Sequence, residues 1–206
     1  MFGSALLRVP SVDRDAWVDV VFGLDSLPDD DPSLPRGCVP YLPCPVDAVL
    51  RIVQHAAVQP HDVFVDVGSG VGRAAALVHL LTGASVIGIE IQRGLVRASR
   101  ELMTRLSVTR FAAIEADAAP LARFIASGTV FFLYCPFGGE RLEALLGGLE
   151  DVARAREIRV CCVDMPPPSR PWLGLVSAPA VDVAVYRSTL HGESTHPVAQ
   201  GIPGNA

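Results

Sequence analysis

Along this chain, short runs of β-branched and aromatic residues alternate with longer stretches in which apolar residues recur every three or four positions. Five such runs, at 63–67, 84–90, 111–117, 130–137 and 157–163, have the length of buried strands. Between them lie helical patterns at 46–57, 73–81, 92–106 and 139–155, the last with Leu142, Leu145, Leu146 and Leu149 on one face. This alternation predicts an α/β fold with a doubly wound, mostly parallel sheet. Two further runs, 172–178 and 181–187, flank a Pro-containing turn and predict an antiparallel hairpin at the end of the sheet. Upstream, 13–22 predicts a short helix with Trp17, Val20 and Val21 inward, and 27–35 (LPDDDPSLP) is loop by composition. Pro45 suits the start of a helix, where its missing N–H is not needed. The segment 165–171, MPPPSRP, fits neither helix nor inner strand.

The most informative stretch is VFVDVGSGVGR, from Val63 to Arg73. A strand carrying one acid, Asp66, breaks into Gly68-Ser69-Gly70-Val71-Gly72 and then opens a helix. Such a turn brings a ligand against the backbone at a helix N-terminus. A dinucleotide loop needs G-x-G-x-x-G, but Arg73 occupies the place of its last glycine. A phosphate-binding P-loop needs a lysine after its last glycine, and none follows. What remains is an acid followed by G-x-G-x-G. Each later strand also ends on a chemical group: Glu90 after the second, Asp117 with Ala118 after the third, and Tyr134-Cys135-Pro136-Phe137 after the fourth. Singly, each acid reads equally well as a solvated strand end. In an open α/β sheet, however, functional groups collect outside the carboxyl ends of the strands.

These residues resemble the motifs of the class I, seven-strand S-adenosylmethionine methyltransferases across residues 40–165. The resemblance implies a Rossmann-like sheet. It also implies that Asp66, Gly68, Ser69, Gly70 and Gly72 form the cofactor loop and that Glu90 accepts from both ribose hydroxyls. Asp117 and Ala118 would lie on the adenine side, and Tyr134 at the cofactor end of the fourth strand. The segment Tyr41-Leu42-Pro43-Cys44-Pro45, about twenty residues ahead of the glycine loop, resembles that of Dot-type histone lysine methyltransferases and of small mitochondrial and bacterial lysine methyltransferases. By that resemblance Tyr41 and Cys44 cover the methionine half of the cofactor, with Cys44 standing where Thr or Ser is usual. Read on its own, YLPCP is also a proline-rich surface turn. Tyr134-Cys135-Pro136-Phe137 stands where nucleobase amino-methylases carry [DN]-P-P-[YFW]. Sulfur is a weak acceptor, so base methylation is disfavoured. The Tyr134 and Cys135 carbonyls remain available to orient an amine, and Phe137 is either substrate wall or core.

Composition narrows the picture. With 206 residues, half of them apolar, the chain can bury a full core. Residues 1–45 read as a lead-in and cofactor lid, 46–190 as the methyltransferase domain and 191–206 as a flexible tail. A net charge of −5 argues against a nucleic-acid partner. Arg97, Arg100, Arg105 and Arg110 read as a solvated helix face. No apolar run is long enough to span a membrane, and the N-terminus is too short for a signal peptide. Five cysteines fit a reducing cytoplasm, and the richness in Arg and Ala fits a GC-rich bacterial genome. Cys161 and Cys162 read as core. Cys38 and Cys44 lack zinc-site spacing, so no structural metal is expected. His55, His61 and His79 read as structural and His191 and His196 lie in the tail, so no general base is assigned. The expectation is S-adenosylmethionine-dependent methyl transfer to an amine, foremost a protein lysine. The alternatives are a small-molecule acceptor or a non-catalytic cofactor-binding regulator.

Overall fold

The computed structural model describes residues 2–165, 169–177 and 182–190. Seven strands form one sheet: β1 (Val63–Val67), β2 (Ser85–Glu90), β3 (Phe111–Glu115), β4 (Val130–Tyr134), β5 (Arg159–Val163), β6 (Leu173–Leu175) and β7 (Val183–Ser188). Their order is β3-β2-β1-β4-β5-β7-β6, with β1 to β5 parallel and β7 antiparallel to both β5 and β6. The chain steps outward from β1 to β3, then returns to place β4 on the other side of β1. The reversal opens a crevice at the carboxyl ends of β1 and β4, where ligands bind in sheets of this kind.

The pleat explains the side-chain sorting. Phe64, Phe132, Cys161 and Val185 face a layer built by α1 (Phe2–Leu6), α2 (Arg14–Phe22), α3 (Val46–His55), α4 (Arg73–Thr82) and part of α5 (Arg93–Arg105). Val65, Phe131, Val160 and Cys162 face the opposite layer, made by α6 (Ala118–Leu121) and α7 (Gly139–Ala155). Cys161 and Cys162 are therefore core on opposite faces of one strand. The same alternation puts Asp66 on the Phe64 face, where it lies buried above α4.

Several expectations need correction. Helix α2 turns Val18 and Phe22 inward, not Val20 and Val21, which are 71% and 41% exposed. Phe22 and Leu6 are fully buried, and Phe2 packs on Trp17 and Phe22. The first two helices thus belong to the same core as α3 and α4. Strand β4 stops at Tyr134 rather than at 137, because Cys135 turns into the left-handed region with φ 40°. The arginine face is only partly solvated. Arg105 donates to the Phe22 and Gly23 carbonyls at the end of α2, Arg110 to those of Gly83 and Pro60, and Arg100 to that of Ala113. The hairpin is β6 with β7; β6 is shorter than expected and β7 runs on to Ser188. The tail, with His191 and His196, lies outside the described residues.

Candidate active site

The glycine turn between β1 and α4 is pinned to β2. The Gly68 and Ser69 amides donate to the Ile89 carbonyl at 2.9 and 3.0 Å. All three of its glycines have positive φ and close neighbours, and two of them border the cleft's walls. Gly68, at φ 74°, lies so close to Pro136 that a Cβ would come within 3.0 Å of the ring. At Gly70, with φ 52°, a Cβ would sit 2.2 Å from the Tyr41 ring. The glycine loop therefore touches the end of β4 on one side and the lid on the other. Ser69 and Gly72 face inward. Ser69 packs its hydroxyl against Gly88, and Gly72 caps α4 beside Ser99 of α5.

Glu90 is buried at the tip of β2. Its two oxygens accept from the Gly70 amide at 2.9 Å and the Gln92 amide at 2.8 Å. A carboxylate has about four acceptor positions, so each oxygen retains one for a hydroxyl pair. Asp66, 3% exposed, leaves Oδ2 without a partner. Burial, with the Glu90 charge second, pushes its carboxyl up to about 7 against the opposing Ala75 amide.

The lid is held by a chain of hydrogen bonds. Gln92 donates to Asp30 at 2.8 Å and accepts from the Asp31 amide at 2.6 Å, and Asp30 accepts from the Tyr41 amide at 2.9 Å. Farther along, Cys38 forms a β-bridge with Phe137. The Tyr41 hydroxyl is buried without a partner, and burial pushes its pKa well above the ordinary tyrosine value. Burial likewise raises the Cys44 thiol and, to about 12, the Tyr134 hydroxyl. None of the three is ionised near neutrality.

Together these parts line a partly open cleft. Of the expected residues, Tyr41, Gly68, Glu90, Asp117, Ala118, Tyr134, Cys135, Pro136 and Phe137 line it. Cys44, Asp66, Ser69, Gly70 and Gly72 stand behind that lining. Cys44 is buried, and its carbonyl accepts from Arg73 at 2.8 Å. Asp117 caps α6 through the Ala119 amide at 3.1 Å and pairs with Arg141 of α7 at 2.8 Å.

Sequence reasoning missed four residues that build the site. Gln92 and Asp30 tie the lid to β2, and Arg141 holds Asp117. The fourth, Arg73, is 3% exposed and binds Asp15, Asp19 and the Cys44 carbonyl at 3.0, 2.6 and 2.8 Å. Only Arg73 carried a signal, a charge opening an otherwise apolar helix.

Residues 43–112 match the family described as "Histone methylation protein DOT1". A protein-L-isoaspartate O-methyltransferase of Cereibacter sphaeroides is 35% identical over 112 residues, 54% of this chain and 49% of that one. The chain thus spans about half the length of the curated relatives it matches. Among solved structures, an RNA methyltransferase of Salinibacter ruber in complex with S-adenosylhomocysteine is 25% identical at a TM-score of 0.50. The match covers 77% of this chain and 100% of that one. The yhhF protein of Escherichia coli is 22% identical at a TM-score of 0.54, over 78% and 89% of the two chains, and speaks to the fold alone. Sheet order and these matches show the fold of the class I, seven-strand S-adenosylmethionine-dependent methyltransferases, with residues 43–112 similar to the Dot-type proteins.

The residues present fit that cofactor. The spare acceptor positions of Glu90 suit a ribose, and the cleft lies at the switch point of the sheet. The unpartnered Asp66 Oδ2 and Tyr41 hydroxyl are polar groups behind and above it.

Proposed function

We propose that this chain transfers a methyl group from S-adenosylmethionine to an amine, foremost the side chain of a protein lysine. The observation that carries this reading is that the Dot-type match at residues 43–112 takes in the glycine loop and the end of β2, which supply Gly68 and Glu90 to the cleft. The wall at 134–137 supports it, because it keeps an aromatic at Phe137 but has no carboxamide or carboxylate side chain to hold a base amine.

When bound, the cofactor supplies a methyl group already activated on a sulfonium. The protein's work is then to position the groups and exclude water. Glu90 and the glycine loop hold the cofactor's ribose end, Tyr41 covers the loop at Gly70, and residues 134–137 form the acceptor wall. No side chain at the cleft is assigned as general base, and the acceptor amine delivers its proton to solvent before attack.

Incubation with methyl-labelled S-adenosylmethionine and a bacterial lysate tests the proposal. Label is expected in protein and, after acid hydrolysis, in methylated lysine. Label in RNA, in base-labile carboxyl esters or in small molecules would replace the lysine reading with another acceptor. Failure to bind S-adenosylhomocysteine at all would remove the methyltransferase reading itself.

A further inference from the structure

Next to the acceptor wall of the cleft, just outside its lining, stands a charge that the cofactor does not use. Asp164 follows β5 directly and stands one residue beyond the Tyr134–Val163 pair, alongside Cys135. Both residues leave their strands in the left-handed region, Cys135 at φ 40° and Asp164 at φ 49°. The Asp164 backbone is clamped on both sides. Its amide donates to the Asp182 carbonyl at 2.9 Å, and its carbonyl accepts from the Cys135 thiol. Such a main chain fixes where the side chain stands.

That side chain is exposed, and among the described residues its carboxylate has neither a hydrogen-bond nor an ion-pair partner. The neighbouring charges are already committed: Arg51 pairs with Asp182, and Asp15 with Arg73. Asp164 nonetheless stands beside the acceptor wall, since its carbonyl accepts from the thiol of the cleft-lining Cys135, and its charge acts on Tyr134, Cys135 and Cys44. Asp tolerates the left-handed region better than most residues, which accounts for the backbone. Asn and Gly would meet that need equally well without the charge.

We infer that Asp164 is the specificity residue for the acceptor: its carboxylate binds the acceptor's cationic charge beside Tyr134 and Cys135, and so selects an alkylammonium over a carboxylate or a phosphate. The inference rests on the amine reading above and narrows it to a cationic acceptor. An unpaired carboxylate at the mouth repels an isoaspartyl or nucleic-acid substrate and attracts a lysine.

The test uses Asp164→Asn, which keeps the backbone preference and removes the charge. The full-length protein, saturated with S-adenosylhomocysteine, is titrated with n-butylammonium chloride against sodium chloride at equal ionic strength, and backbone amide shifts are followed at Tyr134 and Cys135. Saturable, ammonium-specific shifts are expected in the wild type. The variant should bind about three- to tenfold more weakly, with cofactor affinity unchanged. A wild type that answers both salts alike, or a variant that binds butylammonium as the wild type does, overturns the assignment. This measurement needs no turnover. Loss of the amine reading in the lysate experiment is therefore told apart from loss of the role given to Asp164.

Discussion

Glu90 is placed to serve both the fold and a ligand. Its carboxylate already accepts two backbone amides, from Gly70 and Gln92, so a substitution acts twice. Glu90→Gln keeps one acceptor oxygen and removes the charge. It should weaken S-adenosylhomocysteine binding about ten- to a hundredfold by calorimetric titration, from the ~1.5–3 kcal/mol of charged hydrogen bonds. Glu90→Ala should also lower thermal stability, since two buried amides lose their partner at about 1–3 kcal/mol each. Equal affinity in Glu90→Gln and wild type would reduce Glu90 to a loop anchor. Asp66 makes a prediction in pH. Its folded pKa of about 7 lies above the unfolded value near ~4, so in that window the unfolded state binds fewer protons and wild-type stability falls as pH rises. Asp66→Asn lacks this penalty. Its stability relative to wild type should climb by about 1.4 kcal/mol per pH unit from roughly pH 4 to pH 7, then level off, in urea denaturation at several pH values. A flat difference would show that Asp66 ionises as an ordinary carboxylate. That Asp66 and Glu90 mattered was legible in their places at strand ends. That Asp66 leaves one oxygen without a partner while each Glu90 oxygen accepts a backbone amide was not, because it depends on which neighbours the fold brings near.

Among the elements, strands β1 to β5 could be read as short apolar runs and helices α3, α4, α5 and α7 from their one apolar face, each ended by a clear breaker. What periodicity could not give is the lid. Asp30 sits in a run of three acids, and nothing in that run marks it as the one that grips Gln92 and the Tyr41 amide. The turn at Cys135 was hidden for a related reason: VFFLYCPF reads as one strand until the left-handed φ at Cys135 ends it. The lid gives a prediction at this scale. Tyr41 contributes a ring lying on Gly70, so Tyr41→Ala should loosen the loop cover and weaken S-adenosylhomocysteine binding about tenfold, with the sheet intact by circular dichroism. Gln92→Ala, which cuts the tie to Asp30 and Asp31, should move affinity in the same direction. If neither variant changes affinity, the segment is a surface turn that packs on the loop without covering a ligand.

At the scale of the whole molecule, the division into a lead-in and a catalytic domain meets the behaviour of Arg73. This buried guanidinium opens α4 at the edge of the glycine turn, and its partners come from α2 and the lid: Asp15, Asp19 and the Cys44 carbonyl. Asp15 also accepts from the Val46 amide at 3.1 Å, so the first turn of α3 is tied to the same point. The N-terminal helices are therefore fastened to the cofactor loop through charge and to the sheet through Leu6, Val18 and Phe22, all fully buried. Deleting residues 1–24 removes both. Each large side chain lost from the core costs about 1.5–3 kcal/mol. Stripping Asp15 and Asp19 from Arg73 leaves a buried charge uncompensated, at about 3–5 kcal/mol. Together these approach the whole stability of a domain this size, about 5–15 kcal/mol. The truncated chain should lose its cooperative thermal transition, or melt far below the full chain, and S-adenosylhomocysteine should not restore it. Adding Arg73→Met to the truncated chain should recover part of the loss, because the unpaired charge goes with it. A truncated protein that melts and binds the cofactor like the full chain would show that residues 1–24 are an appendage, and that Arg73 finds other partners once they are gone.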